Sequence, residues 1–246
     1  MSSSWSRENV ALLLLPTTLL GAFVYSVADV SVTQRAFVNT TYYVMMTGVL
    51  CWLGTYLHTA RHLTRAAVTA WMKENWPGLL LALVLTTVVA LAVPPALRML
   101  SDEANLVGTS KNLFASKTAT FTVSGKNYYD SYWDIDVGID RRPTLFPFLV
   151  SLLHALGGYS YKNAFVLNLL ALPLFVLVAY RLAKSRGGEA CGIVAATLAV
   201  AHPITLLCVR SAGFDFLAVF FALLVLKGLN DFIRQQTPVR LVTVWL

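Results

Sequence analysis

The chain has 246 residues, 57% of them hydrophobic and 13% charged, with a formal net charge of +7 and a mean hydropathy of +0.65. A soluble globular chain carries roughly 45–50% apolar and about 25% charged residues; this composition leaves too little polar surface to cover a globule and indicates an integral membrane protein. The positive charge does not mark a nucleic-acid partner, because the basic residues gather between apolar runs rather than along a stripe interleaved with aromatics.

A helix needs about twenty largely apolar residues to cross the hydrocarbon core, and six segments come close. Val10–Ala28 comes first; its run continues without a small-x-small cleavage site, so it reads as an uncleaved span rather than a signal peptide. Tyr42–Leu57 and Pro77–Leu97 follow, then Ala164–Tyr180, Cys191–Cys208 and Phe214–Leu229. A further apolar piece, Thr144–Gly158, is short for a crossing and contains Pro147 and His154, which suits an interfacial or re-entrant helix better. The fold class expected is all-α: a polytopic transmembrane bundle of about six spans, with an extracytoplasmic loop containing juxtamembrane helices. Three parts are expected: 1–76, two N-terminal spans and a basic linker; 77–230, the membrane core; and 231–246, a linker entering a further span. Cys51, Cys191 and Cys208 lie in apolar runs without metal-ligand spacing, which predicts buried thiols rather than a disulfide framework.

Basic clusters at Arg61, Arg65 and Lys73, at Arg181, Lys184 and Arg186, and at Lys227, Arg234 and Arg240 orient the spans by the positive-inside tendency. All three belong in the cytoplasm, which requires an even number of crossings between neighbouring clusters and means that Thr144–Gly158 does not span. The loop of 98–162 then faces outward. It holds six of the twelve acids, Asp102, Glu103, Asp130, Asp134, Asp136 and Asp140, and the aromatic, acidic tract "NYYDSYWDID" fits an ordered surface near the interface. Loops that long are usually functional or disordered.

Asp102 and Glu103 follow the third span directly, and Asp215 opens the apolar run "FDFLAVFFALLVL" just after Arg210. Taken singly, the first two read as solvated loop acids, Asp215 as a helix-dipole partner and Arg210 as an interfacial anchor. Together with "DRRP" (Asp140–Pro143) they belong to one face. Paired carboxylates can supply a general base and a metal ligand, and arginines bind phosphate bidentately.

The ordered stretches "DEANLVGTSKNLFASKTATFTVSGK", "DRRPTLFPFLVSLLHALGG", "YSYKNAFVLNLLALPLFVLVAYRLAKSRGG" and "AHPITLLCVRSAGFDFLAVFFALL" resemble the N-terminal part of a GT-C membrane glycosyltransferase. The branch they resemble is that of protein mannosyltransferases and lipid A aminoarabinose transferases, over about Pro77 to Leu229. The resemblance implies an inverting enzyme that moves a sugar from a polyprenyl-phosphate donor to an acceptor at the extracytoplasmic face of a plasma (inner) membrane. It makes Asp102 the catalytic base, Glu103 its support or a metal ligand, and Asp215 the third acid, also a candidate metal ligand. Arg141 and Arg142 fall where the family places a cation near the lipid phosphate, with Arg210 as a further phosphate-binding candidate. A divalent metal ion is the cofactor such acids admit; membrane lipids and an acceptor of unassigned class complete the partners. The family has more spans than these six, so the resemblance also implies either a fragment of such an enzyme or an unusually short member. The alternatives are a non-catalytic membrane subunit or fragment, and a transporter that uses the outer acids as substrate contacts.

Overall fold

The computed structural model describes residue 21 and residues 30–62, 64–98, 100–129 and 131–235; the first expected span, Val10–Ala28, lies outside them apart from Gly21, as does the last expected segment beyond residue 235, with Arg240. The protein is mostly helical, with helices α1 (Val30–Ala60), α2 (Arg65–Ala92), α3 (Leu100–Ala115), α4 (Leu145–Gly157), α5 (Asn163–Ala201), α6 (Pro203–Val209) and α7 (Asp215–Gln235). Three of these are long and apolar enough to cross a membrane: α1, over Val30–His58, α2 and α5.

α1 is longer than its apolar centre, beginning at Val30 rather than near Tyr42. Its hydroxyls keep the helix closed on itself: Thr40, Thr41 and Thr55 donate to the carbonyls four residues back, at 2.7, 2.5 and 2.9 Å. A polar side chain satisfied in this way enters an apolar surround at little cost. α1 meets the rest of the protein through Tyr42, edge-on to Phe148 of α4, and through the Val38 carbonyl, which accepts the Ala119 N–H at 3.0 Å.

α2 corrects the expected third span. Thr64 caps it, accepting from the Ala67 N–H at 3.2 Å, so the helix starts well before Pro77 and carries that proline inside. It ends at Ala92, not Leu97, with Val93 extended at φ −110°, ψ 110°. Pro94 and Pro95 explain the stop: neither has an N–H to continue the ladder, and a proline biases the residue before it away from helix. Residues 93–98 therefore leave the helix as an irregular strap.

α5 joins the fourth and fifth expected spans, broken at Gly188, whose φ of 79° and ψ of −174° no other residue type adopts readily. The two halves fold back on one another. Gly192 lies against the Tyr180 ring, where a Cβ would stand 2.9 Å from Cδ2, and Asn168 near the start of α5 donates to the Cys208 carbonyl at the end of α6, at 3.4 Å. Gly78 of α2 presses on the other part of the same ring, where a Cβ would be 2.7 Å from Cε1. Tyr180 is fully buried, and these two glycines are what let three helix segments close around it.

The core runs through Val89 of α2, Leu106 of α3, Phe146 and Val150 of α4, Phe175 and Val176 of α5, and Phe216 of α7. Outside this packing lies an antiparallel hairpin, β1 (Phe121–Tyr128) paired with β2 (Ser131–Gly138), with register irregularities between Thr122 and Gly125. This hairpin departs from the all-α expectation. Alternating β-formers such as Trp133, Ile135 and Val137 supply the period-two pattern that pairs strands.

The cysteines also differ from expectation. Cys208 is buried, but Cys51 and Cys191 sit on exposed helix faces. Helical position in an apolar run does not by itself decide which way a small side chain points.

Candidate functional site

Four chain segments converge beyond the end of α2: the strap of 93–98, the first turn of α3, the turn of 140–142, and the connection from α6 into α7. Each is held by hydrogen bonds to backbone groups. Arg210 donates from Nε to the Val93 carbonyl at 2.6 Å, while its own carbonyl accepts the Ala96 N–H at 3.0 Å. Asn168, fully buried in α5, donates to the carbonyls of Ser211 at 3.0 Å and Gly213 at 2.9 Å. One amide thus shapes the loop that delivers Asp215.

Within this frame α3 buries one of its two acids and exposes the other. Glu103, Leu106, Ser110 and Leu113 follow helical spacing and form the buried stripe, so Glu103 is drawn under the surface, 1% exposed. Asp102, one position earlier, has a side chain 52% exposed. Both lie in the first turn of α3, where the helix dipole favours negative charge.

The centre of the cluster is Arg98, which sequence reasoning did not single out. Its guanidinium donates to Asp215 from Nη2 and to the Cys208 sulfur from Nη1 at 3.1 Å. Its Nε stands 3.8 Å from Glu103 Oε1, an ion pair too long to be a hydrogen bond. Its backbone N–H donates to Glu103 Oε2 at 2.9 Å. The bond to Asp215 raises the Arg98 guanidinium above its usual range, against an opposing push from burial. Gly213 closes the arrangement: a Cβ there would come within 3.2 Å of Arg98 Nη2 and 3.4 Å of Glu103 Oε1. Glu103 Oε1 has no hydrogen-bond partner among the described residues.

Arg142 forms the second bridge. Asp140, buried beneath it, accepts the Arg142 backbone N–H at 3.0 Å and its Nε at 2.8 Å. That leaves Nη1 facing Asp102 Oδ1 at 3.0 Å. The "DR" step in "DRRP" is therefore a local turn that aims a guanidinium at the first turn of α3.

The structure thus brings Asp102, Glu103, Asp215 and Arg142 to one end of the bundle. It does not join Arg141 to them: Arg141 is exposed and makes no ion pair with the described residues. Arg210 is directed to the Val93 carbonyl, which makes it a brace of the strap. The signal for Arg98 was its place, a cation between "VPPAL" and the two acids, which the hydropathy reading treated as a span end. Asn168 was also legible, as a lone amide in "AFVLNLLALP", where a polar group needs a partner.

Among the described residues no three His, Cys, Asp or Glu side chains stand close enough to hold a metal ion. Glu103 and Asp215 both face Arg98, so the cation between them is a guanidinium. As placed, these two carboxylates do not fit the metal-ligand expectation.

No protein-family model, curated protein or solved structure matches this chain.

Proposed function

We propose that the protein is a multi-pass membrane glycosyltransferase that takes a sugar from a polyprenyl-phosphate donor and delivers it to an acceptor at the extracytoplasmic face. The observation that carries this reading is the pairing of Arg98 and Arg142 with an exposed and a buried acid at the mouth of the apolar helices. A polyprenyl chain stays in the bilayer, so its sugar-phosphate is met where helices leave the hydrocarbon.

In this reading the chain makes six crossings, including Val10–Ala28 and α7, and 77–230 forms part of the catalytic core, its spans in the bilayer and its 98–162 loop outside. α4 lies along the outer interface of a plasma (inner) membrane. The acceptor hydroxyl or amine attacks the anomeric carbon, its proton passes to Asp102, and the carbon–oxygen bond to phosphate breaks with inversion. Polyprenyl phosphate leaves with the bonding electron pair, and Arg142 and Arg98 stabilise the charge that develops on it. Arg98 joins the phosphate-binding assignment, and Arg141 serves the rim. Glu103 and Asp215 hold Arg98 in place.

The test is release of polyprenyl phosphate from a panel of polyprenyl-phosphate sugars in membranes containing the protein. Asp102→Asn keeps the side chain's shape and removes its basicity; loss of a general base costs about 10²–10⁴-fold in rate. Full turnover by Asp102→Asn would defeat the catalytic assignment. One observation favours a second reading, a non-catalytic subunit: each arginine already has carboxylate partners, as a purely structural latch would. That reading predicts no turnover by the unaltered chain with any donor.

A further inference from the structure

A second polar site lies at the opposite end of the bundle. α7 runs from Asp215 at the Arg98 cluster to Asn230, about 22 Å along its axis at 1.5 Å per residue. There a groove of about 470 Å³ opens between the two halves of α5 and α7, walled by Ala183, Ala195, Leu223 and Leu226 and headed by Arg186 and Asn230. The alanines on facing helices leave the space, and the leucines make the wall apolar.

The head of the groove contains donors in excess. Arg186 places Nε and Nη2 on the single Asn230 Oδ1, at 3.2 and 2.7 Å. Both nitrogens can only donate, which fixes the amide with its oxygen toward Arg186 and its Nδ2 away. Asn230 is 5% exposed, and Nδ2 has no hydrogen-bond partner among the described residues. Arg186 has no carboxylate partner among them either. The acids nearby are engaged elsewhere: Asp231 binds Lys227, and Glu189 lies 3.9 Å from Lys184. A buried donor left unsatisfied is costly. The missing complement is an acceptor-only anion attached to an apolar chain.

We propose that this groove binds the phosphate headgroup of an anionic membrane phospholipid, with an acyl chain along the Ala183–Leu226 wall. The unpaired Arg186 charge and the buried Asn230 amide receive the phosphate oxygens, and the wall continues into the hydrocarbon. Basic pockets between membrane helices recognise such headgroups by this combination of charge and apolar contact. The site is separate from the outer cluster, and its occupancy does not depend on sugar transfer.

The experiment is native mass spectrometry of the full chain released from nanodiscs of phosphatidylcholine with and without phosphatidylglycerol. The unaltered protein should retain phosphatidylglycerol in preference to phosphatidylcholine. Arg186→Gln, which keeps a hydrogen bond to Asn230 but removes the charge, should weaken retention about tenfold, the equivalent of one charge-assisted bond. Asn230→Leu should weaken it with Arg186 intact, whereas Arg61→Gln, which removes a charge away from the groove, should leave it unchanged. No preference for phosphatidylglycerol in the unaltered protein overturns the proposal without any variant needing to fold. Equal losses in Arg61→Gln and Arg186→Gln overturn it as well, by reducing the effect to net charge.

Discussion

Removing the Arg98 guanidinium should destabilise the fold chiefly by stranding Glu103. In Arg98→Met the carboxylate stays buried at the head of the α3 stripe, keeping the backbone N–H at 2.9 Å and losing the charge 3.8 Å away. At an effective dielectric of about 20, two charges at that distance attract by about 4 kcal/mol. Breaking a buried pair by removing one partner costs about 3–5 kcal/mol. Arg98 is itself 31% exposed, so solvent already screens part of the attraction, and a net loss of about 2–3 kcal/mol is expected. The assay is thermal unfolding in detergent, run as a cycle with Glu103→Gln. Neutralising Glu103 removes the stranded charge, so the double variant should be more stable than Arg98→Met alone, with a coupling of about 1–3 kcal/mol. Two additive losses would refute the reasoning, because Arg98 would then act through packing or through Asp215 instead of through the buried acid.

Gly78→Ala should lower thermal stability by about 1–3 kcal/mol, because the added methyl meets the buried Tyr180 ring; the melting midpoint checks this, and combining it with Tyr180→Leu should restore part of the loss. Burial lowers the pKa of His154, which accepts from Asn163 at Nδ1 (2.8 Å) and donates from Nε2 to Ser110 (3.1 Å). The unfolded chain therefore takes up the proton first as pH falls. Stability should be full above about pH 6.5 and decline as pH drops toward the lowered native value, a trend that melting across pH would show and that His154→Gln would flatten. For the proposed topology, single cysteines at Ser124 and at Ala190, which is exposed beside the Gly188 reversal, should be labelled from opposite sides of the membrane; labelling from the same side would overturn it.

The cluster was partly legible in the sequence because bilayer length constrains where helix ends fall. Asp102, Glu103 and Asp215 lie at the ends of apolar runs, and helices of similar length packed side by side bring such ends to a common level. Hydropathy reports partitioning rather than hydrogen bonding, and that explains the misses. Pro94 and Pro95 are apolar enough to extend the run to Leu97, yet they cannot donate, so α2 stops at Ala92 and Arg98 moves into a strap. The β-hairpin was hidden for a related reason. Its acids and aromatics drew attention as an interfacial surface, although Trp133, Ile135 and Val137 alternate as a strand does. Which arginine would meet which acid depended on the reversal at Gly188 and on the Asn168 amide, contacts between residues far apart in sequence.

Charge counting links this geometry to the proposed reaction. Asp102, Glu103, Asp140 and Asp215 contribute four negative charges against the three positive charges of Arg98, Arg142 and the bracing Arg210, a formal balance of 3 − 4 = −1. A phosphate entering the intact cluster is therefore repelled unless it takes over one of the arginine contacts. The contacts differ in how readily they exchange. Asp140 and Glu103 are buried, and Asp140 holds Arg142 by two hydrogen bonds, whereas Asp102 is half-exposed and reaches only Nη1. The Asp102–Arg142 contact is the one a donor phosphate displaces at least cost. Its displacement would free the Asp102 carboxylate from Arg142 and leave its oxygens open to the acceptor's proton. In the proposed enzyme, seating the donor phosphate and freeing the base are then the same event, which ties proton removal from the acceptor to the presence of a sugar to transfer.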